Sequence, residues 1–289
     1  MAPGRPPDLR LTAATPAPAA LTAAGALRAT RAHCDAHCFP YHATWRAFRR
    51  TGLKGHPGRH AGFYRSALER TGHIRRPRLH VLICGASDEA MPATLADLLG
   101  GDRLQIHLID RCPTPLHLAD TYAARTGLDL TTSRAAAPDL PAWPDPFDIV
   151  VTDGPLSLLP APMVPATISA LADAVAEDGV LLYTARVTRP PRTTLEYDRP
   201  GRWIQAAAMW TAWPAPASER RARATAVLHR PSRTSPFTAP ADVTAAFACA
   251  FADTRTWIAE RVPLENSSWL VRCWSGGVSR CVRQPGGTH

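Results

Sequence analysis

LHVLICGASDEAMPATLADLLGGDRLQIHLID, residues 79–110, changes its apolar period twice, and those changes decide the fold. Leu79 to Cys84 is an apolar run of buried-strand length, and GASDE follows it. MPATLADLL then places apolar residues at helical spacing until Gly100 and Gly101 stop the helix. LQIHLID, Leu104 to Asp110, is a second strand and ends in an acid. Strand, glycine turn, helix, strand is a right-handed βαβ unit, which lays two parallel strands in one sheet with the helix across a face.

The same alternation continues downstream. Thr114 and Pro115 open a helix as N-cap and first-turn proline, with Leu116, Ala119, Tyr122 and Ala123 on one face and Gly127 after it. A weaker strand spans Leu128 to Ser133, and FDIVVTD, Phe147 to Asp153, is the most strand-like stretch of the chain. A helix carrying Val164, Ile168, Leu171 and Val175 on one stripe leads through Asp178 and Gly179 to the strand VLLYTARV. Two short helices follow, around Trp203 to Trp213 and Glu219 to His229, then a helix from Pro240 to Phe251. TRTWIAERV and SWLVRCW, joined by PLENS, alternate as an antiparallel hairpin does. The fold expected is α/β: a doubly wound, mostly parallel sheet with an antiparallel terminal hairpin and an N-terminal helical cap.

Working back from Leu79, residues 29–76 hold short helical patterns, with Trp45 and Phe48 on one helix and Phe63, Tyr64, Ala67 and Leu68 on the next, which Gly72 ends. Residues 1–28 are rich in Ala and Pro and poor in large apolar side chains, and so are expected to be a tail. Residues 77–289 form the core, with a helical insertion at about 190–240.

Composition narrows the class. The net charge of +9 comes almost wholly from arginine, Lys54 being the single lysine, and the arginines are spread among Asp and Glu. A phosphate-backbone partner calls for clustered cations, so nucleic acid is not indicated. The seven cysteines are odd in number and show no disulfide framework, and the N-terminus has no uninterrupted apolar stretch of signal-peptide type, which fits a reduced cytoplasm. No apolar run nears the roughly 20 residues needed to span a bilayer.

In doubly wound sheets the ligand sits beyond the carboxyl ends of the strands, where a glycine lets backbone approach it. Gly85 stands at that turn. Asp110 ends the next strand near the ~20-residue offset at which an acid accepts hydrogen bonds from ribose hydroxyls. A dinucleotide needs its pyrophosphate at the helix N-terminus, where Asp88 and Glu89 would repel it; capping of the helix is the other reading of these two acids.

VLICGASDEAMPATLADLL, LQIHLIDRC, FDIVVTDGPLSLLP and ALADAVAEDGVLLYTARV together resemble the first, second, fourth and fifth motifs of the class I, Rossmann-like S-adenosylmethionine (SAM)-dependent methyltransferases. The resemblance covers Leu79 to Val187 and, by its antiparallel ending, residues 254–274. It implies SAM as cofactor, bound by Gly85, Ala86, Ser87, Asp88, Glu89, Asp110, Arg111 and Asp153, with Asp88 or Glu89 meeting the methionine ammonium. The family's later glycines are replaced here by Ala86 or Ser87 and by Glu89, and Ile83 stands where an acid is usual.

The resemblance further implies methyl transfer, with a small molecule as the substrate expected. Asp153 would orient that substrate or accept a proton, or else cap the following loop. In HCDAHCFPYH, residues 33–42, the pairs His33/His37 and Cys34/Cys38 share helical faces, and His42 follows. The segment suits a metal chelate, an active-site lid supplying His37 or Tyr41, or plain packing; with no second cysteine pair following, no metal is assigned. Trp203, Trp210 and Trp213 suit an apolar substrate pocket or packing. A non-catalytic methyltransferase-like binding or scaffold protein and a nicotinamide-dependent oxidoreductase are the alternatives.

Overall fold

The computed structural model describes residues 22–50, 56–140, 143–188, 194–195, 199–229, 233–234, 236–248, 250–261 and 268–278. Five strands, β1 (Leu79–Cys84), β2 (Leu104–Asp110), β3 (Asp129–Arg134), β4 (Phe147–Asp153) and β5 (Val175–Thr188), pair in parallel in the order β3-β2-β1-β4-β5. Thr194–Leu195 (β6) and Arg233–Thr234 (β7) form a separate two-stranded ribbon. The main sheet is completed by β8 (Phe251–Arg261) and β9 (Ser268–Val278). β9 runs antiparallel to β5 and lies between it and β8, which is antiparallel to β9 in turn. The connection between β8 and β9, residues 262–267, lies outside the described residues.

Both faces of the sheet are covered, and this is why the central strands read as continuous apolar runs. Val81 and Ile83 of β1 point into one core with Ile106, Leu108, Ile149 and Val151. That core is closed by α3 (Ala61–Arg70), α4 (Ala90–Leu99) and α5 (Pro113–Thr126), through residues such as Tyr64, Leu68, Leu95 and Ala119. The alternate residues Leu82 and Cys84 face the other core with Val150, Leu181 and Tyr183, closed by α6 (Val164–Ala174) and α9 (Pro240–Ala248). The third helix of the expected cap therefore packs into the main core.

Outside that core lies the pair α1 (Ala23–His33) and α2 (Phe39–Arg50), whose first six residues, 23–28, fall in the stretch expected to be a tail. It packs on α7 (Arg199–Ala212) and α8 (Ala217–Leu228) through Phe39, Met209 and Ala212, with Trp213 edge-on to Phe39 at 4.8 Å. Arg31 Nε donates to the Ala212 carbonyl at 2.8 Å. Cap and insertion thus form one helical unit. No helix among the described residues is long and apolar enough to cross a membrane.

Three boundaries differ from the sequence reading. α5 starts at Pro113 with Cys112 as N-cap, because proline's fixed φ already suits the first helical position. α9 ends at Ala248, and Phe251 opens β8. Val175 belongs to β5, not to α6: the chain stays extended through VAEDG, with an irregular register between Phe147 and Ile149 of β4. Gly179 permits this, since a Cβ there would lie 2.8 Å from the Phe147 carbonyl oxygen.

Candidate functional site

The turn after β1 sits beside the junction of β1 and β4, where the strand order reverses direction and doubly wound sheets open a crevice. Gly85 holds φ +81° and its N–H donates to the Ile109 carbonyl at 2.8 Å. A Cβ on Gly85 would stand 2.8 Å from Pro155 Cγ, so the turn packs directly against the segment leaving β4. Both its backbone angle and its neighbour call for glycine.

Asp110, at the end of β2, grips this turn. Its Oδ2 accepts from Ala86 N at 2.9 Å and its Oδ1 from Cys112 N at 2.6 Å. Burial pushes its carboxyl above the ordinary range, and the two backbone donors oppose that shift. A carboxylate offers about four lone-pair sites, so each oxygen keeps one acceptor position beyond these bonds. Across the crevice, Asp153 ends β4 and its Oδ1 accepts from Thr184 Oγ1 at 2.5 Å. Gly154 follows it at φ 85°.

The other wall comes from α2. Tyr41, Trp45 and Arg49 follow one another at i+4 along a single helical face. Tyr41 Oη meets Ser87 Oγ at 2.6 Å, its ring lies 4.8 Å from that of Trp45, and the Arg49 guanidinium lies 5.1 Å over Trp45. Arg49 pairs with Asp88, and the neighbouring Arg46 pairs with Glu89. Both acids are buried. Burial alone would raise Asp88, but Arg49 and the Ala90 N–H hold it below its ordinary value. Glu89 is pushed up, by burial and by the charge of Asp88, against the pull of Arg46.

The acidic turn therefore already has cations, and they come from the cap. The sequence left a ligand ammonium or helix capping as the role of Asp88 and Glu89; in the fold both pair with arginines, and Asp88 also accepts from Ala90 N at 3.0 Å. Their charge, neutralised in this way, no longer argues against a dinucleotide, and discrimination falls to the sheet order.

Of the other residues singled out, Ala86 and Ser87 are half-buried at the turn, whereas Arg111 and His37 are exposed. The Arg111 carbonyl accepts from Arg134 Nε at 3.0 Å. Trp203 and Trp210 are 63% and 43% exposed, which removes them from any closed pocket, and Trp213 packs on Phe39. Sequence reading missed Arg46, Arg49, Pro155 and Thr184, whose local patterns carry no chemical signature. His56 Nδ1 accepts from Gly58 N at 2.9 Å, and burial, then the charge of Arg49, holds the imidazole below its usual value.

The sheet order, with β9 antiparallel between β5 and β8, and the helices covering both faces are those of the class I, Rossmann-like SAM-dependent methyltransferases. The chain has that fold. Among solved structures it is similar to the N-terminal domain of EvdMO1, determined in the presence of S-adenosylhomocysteine (SAH) and D-fucose, at 14% identity and TM-score 0.50, over 78% of this chain and 84% of that one. It is also similar to magnesium protoporphyrin IX methyltransferase from Synechocystis PCC 6803 with bound SAH, at 14% identity and TM-score 0.46, over 76% of this chain and 83% of that one. No protein-family model matches the sequence. No curated protein matches it either.

Proposed function

We propose that the chain is a SAM-dependent methyltransferase acting on a small molecule. The observation that carries this reading is Asp110 fixed against the Gly85–Ala86 turn, in a sheet whose last strands run antiparallel. A nicotinamide-binding sheet of the doubly wound kind continues in parallel beyond its fifth strand. A neighbour of this fold determined in the presence of SAH supports the same cofactor class.

The residues present fit SAM. Gly85 and Ala86 offer bare backbone for close approach, and Asp110 keeps acceptor positions for two ribose hydroxyls. When bound, SAM supplies a methyl group made electrophilic by its sulfonium. The chain's own work is then positioning and water exclusion, which dominate in-line displacements. Tyr41, anchored on Ser87, closes the cap over the turn. Asp153, held by Thr184, orients the acceptor or takes its proton. The helical unit of α1, α2, α7 and α8 builds the acceptor side.

Calorimetric titration of the purified protein with SAM and with NAD, in separate cells, tests the reading. SAM binds and NAD does not; heat from NAD alone would overturn the proposal. Asp110→Ala removes the ribose acceptor and abolishes SAM binding. Unchanged SAM affinity in that variant would remove Asp110 from the site.

A further inference from the structure

We propose that Cys34, Cys38, His42 and Cys112 form a closed tetrahedral zinc site that ties the N-terminal cap to the loop after β2. Their ligand atoms all lie within 4.8 Å of one another, although Cys112 comes from a different part of the chain. The four side chains are distinct from the residues assigned to the cofactor, and the site does not rest on the methyltransferase reading.

Local structure explains the gathering. Cys34 is the C-cap of α1, and a tight turn follows in which Cys38 N and Phe39 N both donate to the Asp35 carbonyl, at 3.2 and 3.0 Å. His42 lies one turn beyond Cys38, its N–H donating to the Cys38 carbonyl at 3.2 Å. This packs two thiols and an imidazole at one helix junction. Cys112 arrives as the N-cap of α5, where its side chain makes no capping bond and instead faces the other sulfurs.

The three Sγ atoms are 3.3, 3.4 and 3.6 Å apart. Zinc–sulfur bonds of about 2.3 Å at tetrahedral angles place sulfurs ~3.8 Å apart, so the triangle needs only a few tenths of an ångström of expansion. A disulfide would need roughly 2.0 Å, a contraction of more than an ångström. Thiols are weak donors and acceptors, and their mutual hydrogen bonds give little reason to bury three together. His42 Nδ1 is sealed from solvent and makes no hydrogen bond of ordinary geometry, and the imidazole's interaction is with the Cys112 sulfur, as that of a nitrogen kept for a metal ion would be. Phe39, Met209 and Ala212 form an apolar shell around the sulfurs.

Outside that shell one arginine braces both ligand-bearing segments. Arg134 Nε donates to the Arg111 carbonyl at 3.0 Å, next to Cys112, and its other arm pairs with Asp35 at 3.3 Å, between Cys34 and Cys38. Three soft thiolates and an imidazole in so compact a set suit a single Zn²⁺. All four positions are protein side chains, so the ion has no open position for substrate or water and its role is structural. What it secures is the segment that carries Asp110, whose Oδ1 accepts from Cys112 N.

Metal analysis of the reduced wild-type protein, purified without chelator, tests this directly and requires no SAM. About one zinc per chain is expected. After chelation, cobalt(II) uptake should give thiolate-to-metal charge-transfer bands and the intense visible bands of a tetrahedral site. Cys112→Ser should lose most of the zinc and lower Tm by about 5 to 10 °C, whereas Cys84→Ala, a buried cysteine outside the cluster, keeps its zinc. Metal-free wild type that takes up neither zinc nor cobalt, iron or copper at full occupancy in place of zinc, or a disulfide among Cys34, Cys38 and Cys112 would each overturn the assignment.

Discussion

Two acid–arginine pairs join the cap to the cofactor turn, and they are not equivalent. Asp88 has Arg49 and a backbone donor, Ala90 N at 3.0 Å, whereas Glu89 has Arg46 and also feels the charge of Asp88. Removing one partner of a buried pair leaves a desolvated charge behind, which costs roughly 3 to 5 kcal/mol, while removing both costs far less. Arg49→Ala is therefore expected to destabilise by about 3 kcal/mol in urea unfolding, and Arg49→Ala with Asp88→Ala by much less than the sum of the singles. A cycle that is additive to within ~0.5 kcal/mol would show that the pair contributes no more than a surface contact. None of this was legible in the sequence. Asp88 and Glu89 were conspicuous as charges at a helix start, but their partners stand some 40 residues earlier, in a helix whose arginines look like any solvated face.

At the scale of elements the sequence was informative wherever burial is two-sided. β1, β2 and β4 have the limits their apolar runs suggest, because residues facing either core must be apolar. β3 read more faintly for the corresponding reason: it is an edge strand with half its side chains toward solvent. The start of β5 was hidden, since VAEDG has the composition of a helix end and only the approach of the Phe147 carbonyl to Gly179 explains its extended path. Cys112 was invisible as a ligand because its companions are far away in sequence, though cysteine at an N-cap, a position that favours Ser, Thr, Asp and Asn, is an oddity. Capping also decides α9. Asp242, in its first turn, accepts from Thr238 N, Thr238 Oγ1 and Ala239 N at 2.7, 2.8 and 2.8 Å, the reciprocal half of a capping box. These donors, Thr238 first, hold its carboxyl below the ordinary value. Asp242→Ala should lower stability by about 1 kcal/mol, and Asp242→Glu less if the longer arm reaches the same donors; a thermal scan in which Asp242→Ala matches wild type would remove the cap from the account.

Across the whole molecule the histidines set how stability responds to mild acid. His73, fully buried at the entrance to β1, bonds through Nδ1 to Thr71 Oγ1 at 2.8 Å, and burial followed by the charge of Arg76 holds its pKa below 6.5, against the pull of Asp148 and Asp178. His107, on β2 between Ser133 and Thr131, is likewise held low, by burial and by His80. Well above pH 6.5 both imidazoles are neutral in the folded and unfolded chains and cost nothing. As pH falls below 6.5 the unfolded chain binds protons that the fold resists, so stability declines until the folded pKa values are reached. Glu89 and Asp110, raised by burial, act with the opposite sign at lower pH, since protonating them relieves a buried charge. The wild-type profile is thus a sum, and His73 is isolated by difference. The urea midpoint should fall between pH 7.5 and 5.5, and His73→Gln, which keeps a polar bond to Thr71 but cannot titrate, should fall less over the same interval even if its midpoint at pH 7.5 is lower. Parallel profiles for the two proteins would mean that His73 is protonated as readily in the fold as outside it, and the acid response would then have to come from elsewhere in the sheet.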